Sequence, residues 1–384
     1  MKILLVSSGS GSRGGGEIFL LYLGRALGAR GHSVTTWMPT HPRMDELASQ
    51  CAEFSKVVRA DYANTYDHRS RSLATLFNQQ LSKRIARQWL DLKPNVIHIN
   101  KQNLEDGLDL LRAAELSGLP SVCTVHLTQT ARYLRARGAP LRDLVAKLEL
   151  RKFKGAYAAV QDVRRKELSL FVGRDVRTTT IFNGVPKVDP ASQQALRTTA
   201  RAELGIADHQ FLVVGLGRLV SQKNPFTFLK VASKLCRLND HLKCIWIGDG
   251  ELANEWKAAV EREGLSKVIW CAGWKSEVRP FLAAADLFLH TAEYEGLPFA
   301  LIEAMSMGVP SAISPKVAAE LPFLHAGNAI FYDTPGVLED IISRREDLSR
   351  VGEAGRIMVT EQFSDTAMAA AYERLYAAEI ASSS

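Results

Sequence analysis

Residues 286–314 read DLFLHTAEYEGLPFALIEAMSMGVPSAIS, and this stretch decides the fold. The apolar run Leu287–His290 has the length and composition of a buried parallel strand. A polar loop, Thr291–Gly296, follows it. Pro298 stands where a helix takes its first residue, because its fixed φ suits a helix start and its missing N–H is not needed there. The pattern predicts a helix from Pro298 to Met307, with Gly308 closing it and Pro310 preventing continuation. Beyond the turn Gly296-Leu297-Pro298, the amides of Phe299 and Ala300 then lie at a positive helix end, which is an anion site. Glu295 stands just before this helix and Glu303 on its second turn, with seven residues between them. An anion at the amides, flanked by two acids that accept from hydroxyls, describes a sugar nucleotide better than a bare phosphate.

Glu295-x7-Glu303, set in EYEGLPFALIEAMSMGVP, resembles the signature of the retaining GT-B glycosyltransferases of family 4. The resemblance implies that Glu295 contacts the donor sugar, that Glu303 binds the ribose hydroxyls, and that Gly296, Leu297, Pro298, Phe299 and Ala300 line the donor site. Taken alone, the two acids also read as a loop acid and a solvated helix acid.

At 384 residues and 46% hydrophobic content, the chain has room for two ordinary domains with sizeable cores. No apolar run reaches the roughly 18 residues of a membrane span. The N-terminal MKILLVSSGSG passes into a Gly/Ser loop too soon for a signal peptide. The five cysteines are odd in number and form no C-x-x-C pair, so reduced, buried thiols in a cytoplasmic protein are expected. Charge is unevenly placed. Residues 1–180 hold 28 Lys/Arg against 16 Asp/Glu, a net +12, and residues 181–384 hold 20 against 25, a net −5. The basic excess is densest between Arg132 and Arg177. Such asymmetry fits an anionic membrane surface, an acidic substrate or an ordinary solvated face. It would also fit a nucleic acid, but none is expected as a partner.

From the N-terminus, Lys2–Ser7 predicts a buried strand, Ile18–Ala29 a helix and Ser33–Met38 a second strand. Between the first two lies GSGSRGGGE, residues 9–17. Gly9-x-Gly11-x-x-Gly14 matches the dinucleotide fingerprint literally. That fingerprint wants an acid at the end of the second strand, whereas the first acid here is Asp45. Gly14-Gly15-Gly16-Glu17 instead resembles the Gly-Gly-x-Glu loop of family 4, which implies that Gly15 and Gly16 bring bare backbone to the donor diphosphate. Helical spacing follows over Met44–Phe54 and Leu73–Leu92, in a region where the resemblance implies acceptor contacts. Pro94–Asn100 is a strand; relatives often carry a His near its end, and the Asn100 departure is expected to bear on the acceptor side. Leu104–Leu116 predicts a helix and Pro120–Val125 a strand that ends at His126. Read alone, His126 is also a locally hydrogen-bonded strand end. It resembles the family histidine that approaches the reacting end of the sugar, although Leu127 stands where an Asp is usual. A basic helix, Leu141–Phe153, a strand, Ala156–Val160, a helix, Val163–Leu170, and a strand, Thr178–Phe182, lead to Asn183-Gly184-Val185. This turn resembles the family exit from the first domain and places Asn183 among the binding residues. Pro186–Thr199 reads as linker and approach to the next helix.

The second domain restarts with Phe211–Gly215 as a strand, then Gly217-Arg218 and Lys223-Asn224, then a helix over Pro225–Leu238. Two cations at a strand's carboxyl end can neutralise a departing diphosphate, and the resemblance to Gly-Arg-x-x-x-x-Lys assigns Gly217, Arg218 and Lys223 that role. Cys244–Ile247 leads into Gly248-Asp249-Gly250, matching a family Gly-x-Gly loop. Val268–Cys271 leads to Gly273-Trp274, where the family main chain reads the base. Glu320 reads either as a donor-site acid or as a helix-start charge. Asp365–Glu379 predicts the last helix.

These readings lead to an α/β fold of GT-B architecture, with two Rossmann-like domains facing a cleft. The first is expected over 1–185 with the crossing helix from 365–384, and holds the acceptor. The second, over 186–364, holds the nucleotide-sugar donor. The implied activity is transfer of a sugar with retention, from a nucleoside-diphosphate sugar (UDP-linked in the first place) to a saccharide or lipid-linked acceptor. Such a step serves cell-surface polysaccharide or glycoconjugate synthesis. His126, Arg218, Lys223 and Glu295 are its expected catalytic residues. No cofactor is implied. There is no Asp-x-Asp; Glu293-Tyr294-Glu295 is the nearest carboxylate pair, assigned to sugar binding, so no metal is implied. Peripheral association with an anionic inner membrane face is expected from the basic first half. A GT-B nucleotide-sugar epimerase and a non-catalytic nucleotide-sugar-binding protein stay open as alternatives.

Overall fold

The structure, a computed structural model, describes residues 1–9, 14–76, 79–333, 335–342 and 345–383. Its contacts divide the chain into one unit of Met1–Gly184 with Asp365–Ser384, and a second of Val185–Ser364. The first is built on strands β1 (Lys2–Ser7), β2 (Ser33–Pro39), β3 (Lys56–Ala60), β4 (Val96–Lys101), β5 (Ser121–Val125), β6 (Ala156–Ala159) and β7 (Thr178–Thr180). They form one parallel sheet in the order β3-β2-β1-β4-β5-β6-β7. The second unit repeats the plan with β8 (Phe211–Leu216), β9 (Leu242–Ile247), β10 (Ile269–Gly273), β11 (Leu287–His290), β12 (Ser311–Ile313) and β13 (Ile330–Phe331). Their order is β10-β9-β8-β11-β12-β13. Central strands are buried on both faces, which is why they read as near-continuous apolar runs.

In both sheets the strand order reverses beside the first strand, between β1 and β4 and between β8 and β11. Loops leaving the carboxyl ends of two such strands diverge, and the crevice between them is where ligands collect in doubly wound sheets. The glycine loop leaves β1, and the loop of Arg218 and Lys223 leaves β8. Glu295 follows β11.

Several expected boundaries move. The helix after β11 is Phe299–Ser306, with Pro298 as its extended N-cap and not its first turn. The segment 186–199 is not mostly linker: a helix fills Pro190–Glu203, opened by Asp189, whose carboxylate accepts the Ser192 N–H at 3.0 Å. The helix expected from Leu104 starts at Leu108. The amides of Gln102 and Asn103 are taken by the Asp106 carboxylate, and those of Glu105 and Asp106 by Asn103 Oδ1, an Asx arrangement that competes with helix. The Met44–Phe54 helix is Asp45–Ala52, and the Leu73–Leu92 helix is Gln79–Asp91 after a 3-10 stretch, Arg71–Leu76. Strand β3 and the helices Ala253–Arg262, Arg279–Ala284, Pro335–Ile342 and Arg345–Gln362 were not anticipated. Four cysteines are buried as expected, but Cys271 is half-exposed.

The last helix, Asp365–Ser383, belongs to the first unit. It is tied down by charge and by aromatic hydroxyls. Glu379 takes both guanidinium arms of Arg177 at 2.5 and 2.9 Å, Tyr372 meets the Thr124 hydroxyl at 2.7 Å, and the Tyr376 hydroxyl meets His98 Nδ1.

Candidate active site

In the first unit the fingerprint residues Ser10–Arg13, including Gly11, lie outside the described residues. From Gly14 onward the chain enters the helix Gly15–Ala29, with Gly15 exposed and Gly16 buried. The Gln102 side chain, leaving β4, lies against Gly16: a Cβ there would stand 1.8 Å from Gln102 Oε1. Asn100, at the end of β4, joins two of the expected site elements. Its Nδ2 donates to the Gly16 carbonyl at 2.9 Å, and its Oδ1 accepts from His126 Nε2 at 2.7 Å. Its side-chain contacts are thus with the glycine loop and His126. No sequence signal linked these three residues, because strands β1, β4 and β5 become neighbours only in the sheet.

The bond to Asn100 puts the His126 proton on Nε2 and leaves Nδ1 as the ring's acceptor. Burial drives its pKa down to about 4, against a weaker opposing pull from Asp106. His98 beside it is driven to about 3, by burial first and by His126 second. Both rings are neutral at physiological pH. Phe19 fixes their planes, edge-on at 5.0 Å from His126 and 5.8 Å from His98. Beneath them, the buried Lys101 ammonium stands 3.4 Å from Asp106, which also accepts from the Ser8 hydroxyl and so joins the ends of β1 and β4. Asn183 is buried after β7, three strands beyond β4 in sheet order.

The second unit is ionic. Lys223 Nζ donates to Glu295 Oε1, and His290 Nε2 stands 3.5 Å from the same oxygen, too far for a hydrogen bond. All three side chains are largely shielded, and Glu295 and His290 are buried. Burial alone would raise the Glu295 pKa; Lys223 and His290 outweigh it and hold the carboxyl at about 2. In this structure Lys223 is thus the counter-charge of Glu295. Arg218, half-buried, has no carboxylate partner among the described residues. Glu293 separates from Glu295: it is exposed, and it takes Lys316 at 2.9 Å and the Asn224 amide. The two acids therefore have separate partners in this structure.

The two loops are stitched together by hydrogen bonds to main-chain carbonyls. Glu293 N–H donates to the Gln222 carbonyl at 2.9 Å, Gln222 Nε2 to the Tyr294 carbonyl at 3.1 Å, and Thr291 Oγ1 to the Lys223 carbonyl at 3.0 Å. The Trp246 indole N–H holds the Gly217 carbonyl at 2.9 Å. Gly248 and Gly250 are needed for close approach. A Cβ at Gly248, whose φ is +132°, would lie 2.1 Å from the Gly217 carbonyl oxygen, and one at Gly250 2.4 Å from that of Leu219. Their role is to let the Arg218 loop lie flat on the β9 loop. Gly273 accepts the Gly248 N–H at 2.8 Å, with half-buried Trp274 next in the chain. Leu301 and Ile302 make the first bonds of the helix after β11, both to the Pro298 carbonyl, so the amides of Phe299 and Ala300 precede its ladder. Glu303 is buried on that helix. Glu320 follows the short helix Pro315–Ala318 and so is not a helix-start charge. Among the described residues no group of three or more His, Cys, Asp or Glu is placed to hold a metal ion.

Two doubly wound units, each with polar groups gathered where its strand order reverses, define the GT-B class. Anabaena Alr3699/HepE, solved in complex with UDP and glucose, superposes with a TM-score of 0.78 over 97% of this chain and 98% of that one, at 19% identity. Residues 13–187 match the model for Glycosyltransferase Family 4 and residues 197–344 that for Glycosyl transferases group 1, and the chain belongs to this family of GT-B glycosyltransferases. It is 28% identical over 214 residues to the Escherichia coli UDP-Gal:alpha-D-GlcNAc-diphosphoundecaprenol alpha-1,3-galactosyltransferase, covering 53% of each chain. It is 27% identical over 214 residues to the lipopolysaccharide core biosynthesis glycosyltransferase LpsE of Rhizobium meliloti, covering 54% of this chain and 59% of that one. The chain spans little more than half the length of these curated relatives.

Proposed function

We propose that this protein transfers a sugar, with retention, from a UDP-sugar to a saccharide or lipid-linked acceptor in cell-surface polysaccharide or glycoconjugate synthesis. The observation that carries this reading is the Lys223–Glu295 pair at the β8/β11 reversal, beside the start of the helix Phe299–Ser306. A carboxylate held at about pKa 2 carries no proton at neutral pH. It serves as a fixed acceptor for donor hydroxyls and not as an acid or base, which disfavours an epimerase. Arg218, Lys223 and the helix start supply positive charge to the departing diphosphate, so the reading needs no metal. His126 presents an acceptor nitrogen to a sugar hydroxyl. Glu303 takes the ribose hydroxyls, while the main chain at Gly15, Gly16, Gly217 and Trp274 contacts phosphates and base. In the transfer, the acceptor oxygen bonds to the anomeric carbon as that carbon's bond to the phosphate oxygen breaks. The acceptor proton passes to a leaving phosphate oxygen on the same face.

The basic first half draws the protein to the cytoplasmic face of an anionic membrane, where lipid-linked acceptors reside. Calorimetry against UDP, GDP and ADP, followed by turnover with UDP-sugars, tests the reading. UDP should bind best, and donor should be transferred or hydrolysed. Failure of all three nucleotides to bind folded protein would overturn it, and binding without turnover would leave a nucleotide-sugar-binding protein.

A further inference from the structure

Among the described residues, twelve large hydrophobic side chains are exposed, and five of them lie between residues 133 and 148. Tyr133 is 57% and Leu134 40% exposed, and on the helix Ala139–Lys152 Leu141, Leu144 and Leu148 are 54%, 51% and 50% exposed. Spacing of i, i+3 and i+7 puts the three leucines on one stripe. The opposite face of that helix, through Val145, Ala146 and Leu150, is buried against the unit's core. Asp143 fixes the neighbouring turn, accepting the amides of Ala131 and Arg132 at 2.7 and 3.1 Å, so Tyr133 and Leu134 stay beside the leucine stripe.

Charge decides what covers this patch. Residues 132–154 carry eight Lys/Arg and two Asp/Glu, a net +6. Both acids are already engaged: Asp143 by those amides, and Glu149, buried, by Arg112 and Lys152 at 2.9 and 2.8 Å. No carboxylate among the described residues pairs with Arg132, Arg135, Arg137 or Lys147. Arg142 is held by Glu105 and Arg151 by Asp175. An apolar stripe flanked by four cations without a carboxylate partner among the described residues is complementary to acyl chains under anionic headgroups, and not to a nucleic acid, which offers phosphate without an apolar layer. No helix among the described residues is long and apolar enough to cross a membrane.

Building on the proposed peripheral association, we infer that Leu141, Leu144 and Leu148, with Tyr133 and Leu134, insert into the interfacial layer of an anionic bilayer. The surrounding arginines and lysines hold headgroup phosphates. Attraction by charge alone leaves side chains in water; here apolar side chains leave it.

Vesicles of phosphatidylglycerol and phosphatidylcholine, co-sedimented with the full chain without donor, test this. Leu141→Ser/Leu144→Ser/Leu148→Ser should lower partitioning roughly tenfold or more while melting and UDP affinity stay unchanged. Separately, Leu144→Trp should fluoresce at shorter wavelength on binding and be quenched by brominated acyl chains. If the triple serine variant binds as the parent does and the new tryptophan is not quenched, insertion is wrong, although salt-sensitive association by charge would stand. No binding to anionic vesicles at low salt would overturn both membrane statements and leave the transferase reading to the UDP measurement. A dimer that the serine variant abolishes, with no vesicle binding, would show that the stripe meets a second copy instead.

Discussion

The two units share one plan, yet the histidines at one strand reversal and the carboxylate at the other are held in opposite charge states. In the first, buried His126 and His98 have no counter-charge close enough to offset burial, so both stay neutral. In the second, buried Glu295 has Lys223 beside it and stays charged. Desolvation acts on both sites in the same sense, against the ionised form. What differs is whether an opposite charge lies within bonding distance. Topology fixes where polar groups collect, and the partner of each group fixes its protonation.

The largest effects should come from breaking the ionic side. Arg218→Ala and Lys223→Ala should each lower kcat by roughly 10²-fold or more, because both cations meet charge that grows as the diphosphate leaves. The two should part in stability. Lys223→Ala strands a buried carboxylate and should cost about 3–5 kcal/mol. Arg218→Ala removes a charge that has no carboxylate partner among the described residues and should stay within about 0.5 kcal/mol. Steady-state kinetics with chemical denaturation measures both; variants that changed KM alone would remove the proposed role.

Acid should then separate the units. The histidines take up protons in the unfolded chain at about 6.5 but in the folded one only at about 4 and 3, so their support for the first unit is full above pH 6.5 and lost as pH falls towards 4. Glu295 ionises near 4.5 when unfolded and about 2 when folded, so its support is full above 4.5 and lost as pH falls towards 2. Each group contributes about 1.4 kcal/mol per pH unit within its window. Fluorine NMR of labelled tryptophan distinguishes Trp37 and Trp89 in one unit from Trp246 and Trp256 in the other. The first pair should lose native signals at the higher pH, and simultaneous or reversed loss would contradict the contrast.

Two smaller effects sharpen the ionic site itself. Glu303→Gln should weaken UDP binding by about 1–3 kcal/mol, since a charged acceptor for a ribose hydroxyl becomes a neutral amide; unchanged affinity by calorimetry would reassign the ribose site. Glu293→Gln, two residues from Glu295 but exposed, should shift stability by less than about 1 kcal/mol and leave turnover intact. A large loss of turnover there would restore the two acids as one unit.

The sequence by itself determined the α/β repeat, the strands Lys2–Ser7 and Leu287–His290 and the helix Pro225–Leu238, and it brought Arg218, Lys223, Glu295 and Glu303 forward as candidates. Apolar runs, glycine loops and prolines act over a few residues, so local order records them. Less was legible where short-range patterns compete. The side chains of Asn103 and Asp106 deny four residues to the helix before Leu108, and β3, KVVRA, is too short and too polar to announce itself. Only the tertiary structure decided that Asn100 joins Gly16 to His126, that Lys223 pairs with Glu295, and that three leucines of a basic helix face solvent. Each depends on residues distant in sequence, or on which helix face the sheet covers. Burial and counter-charge arise when strands align, and no local spacing encodes them.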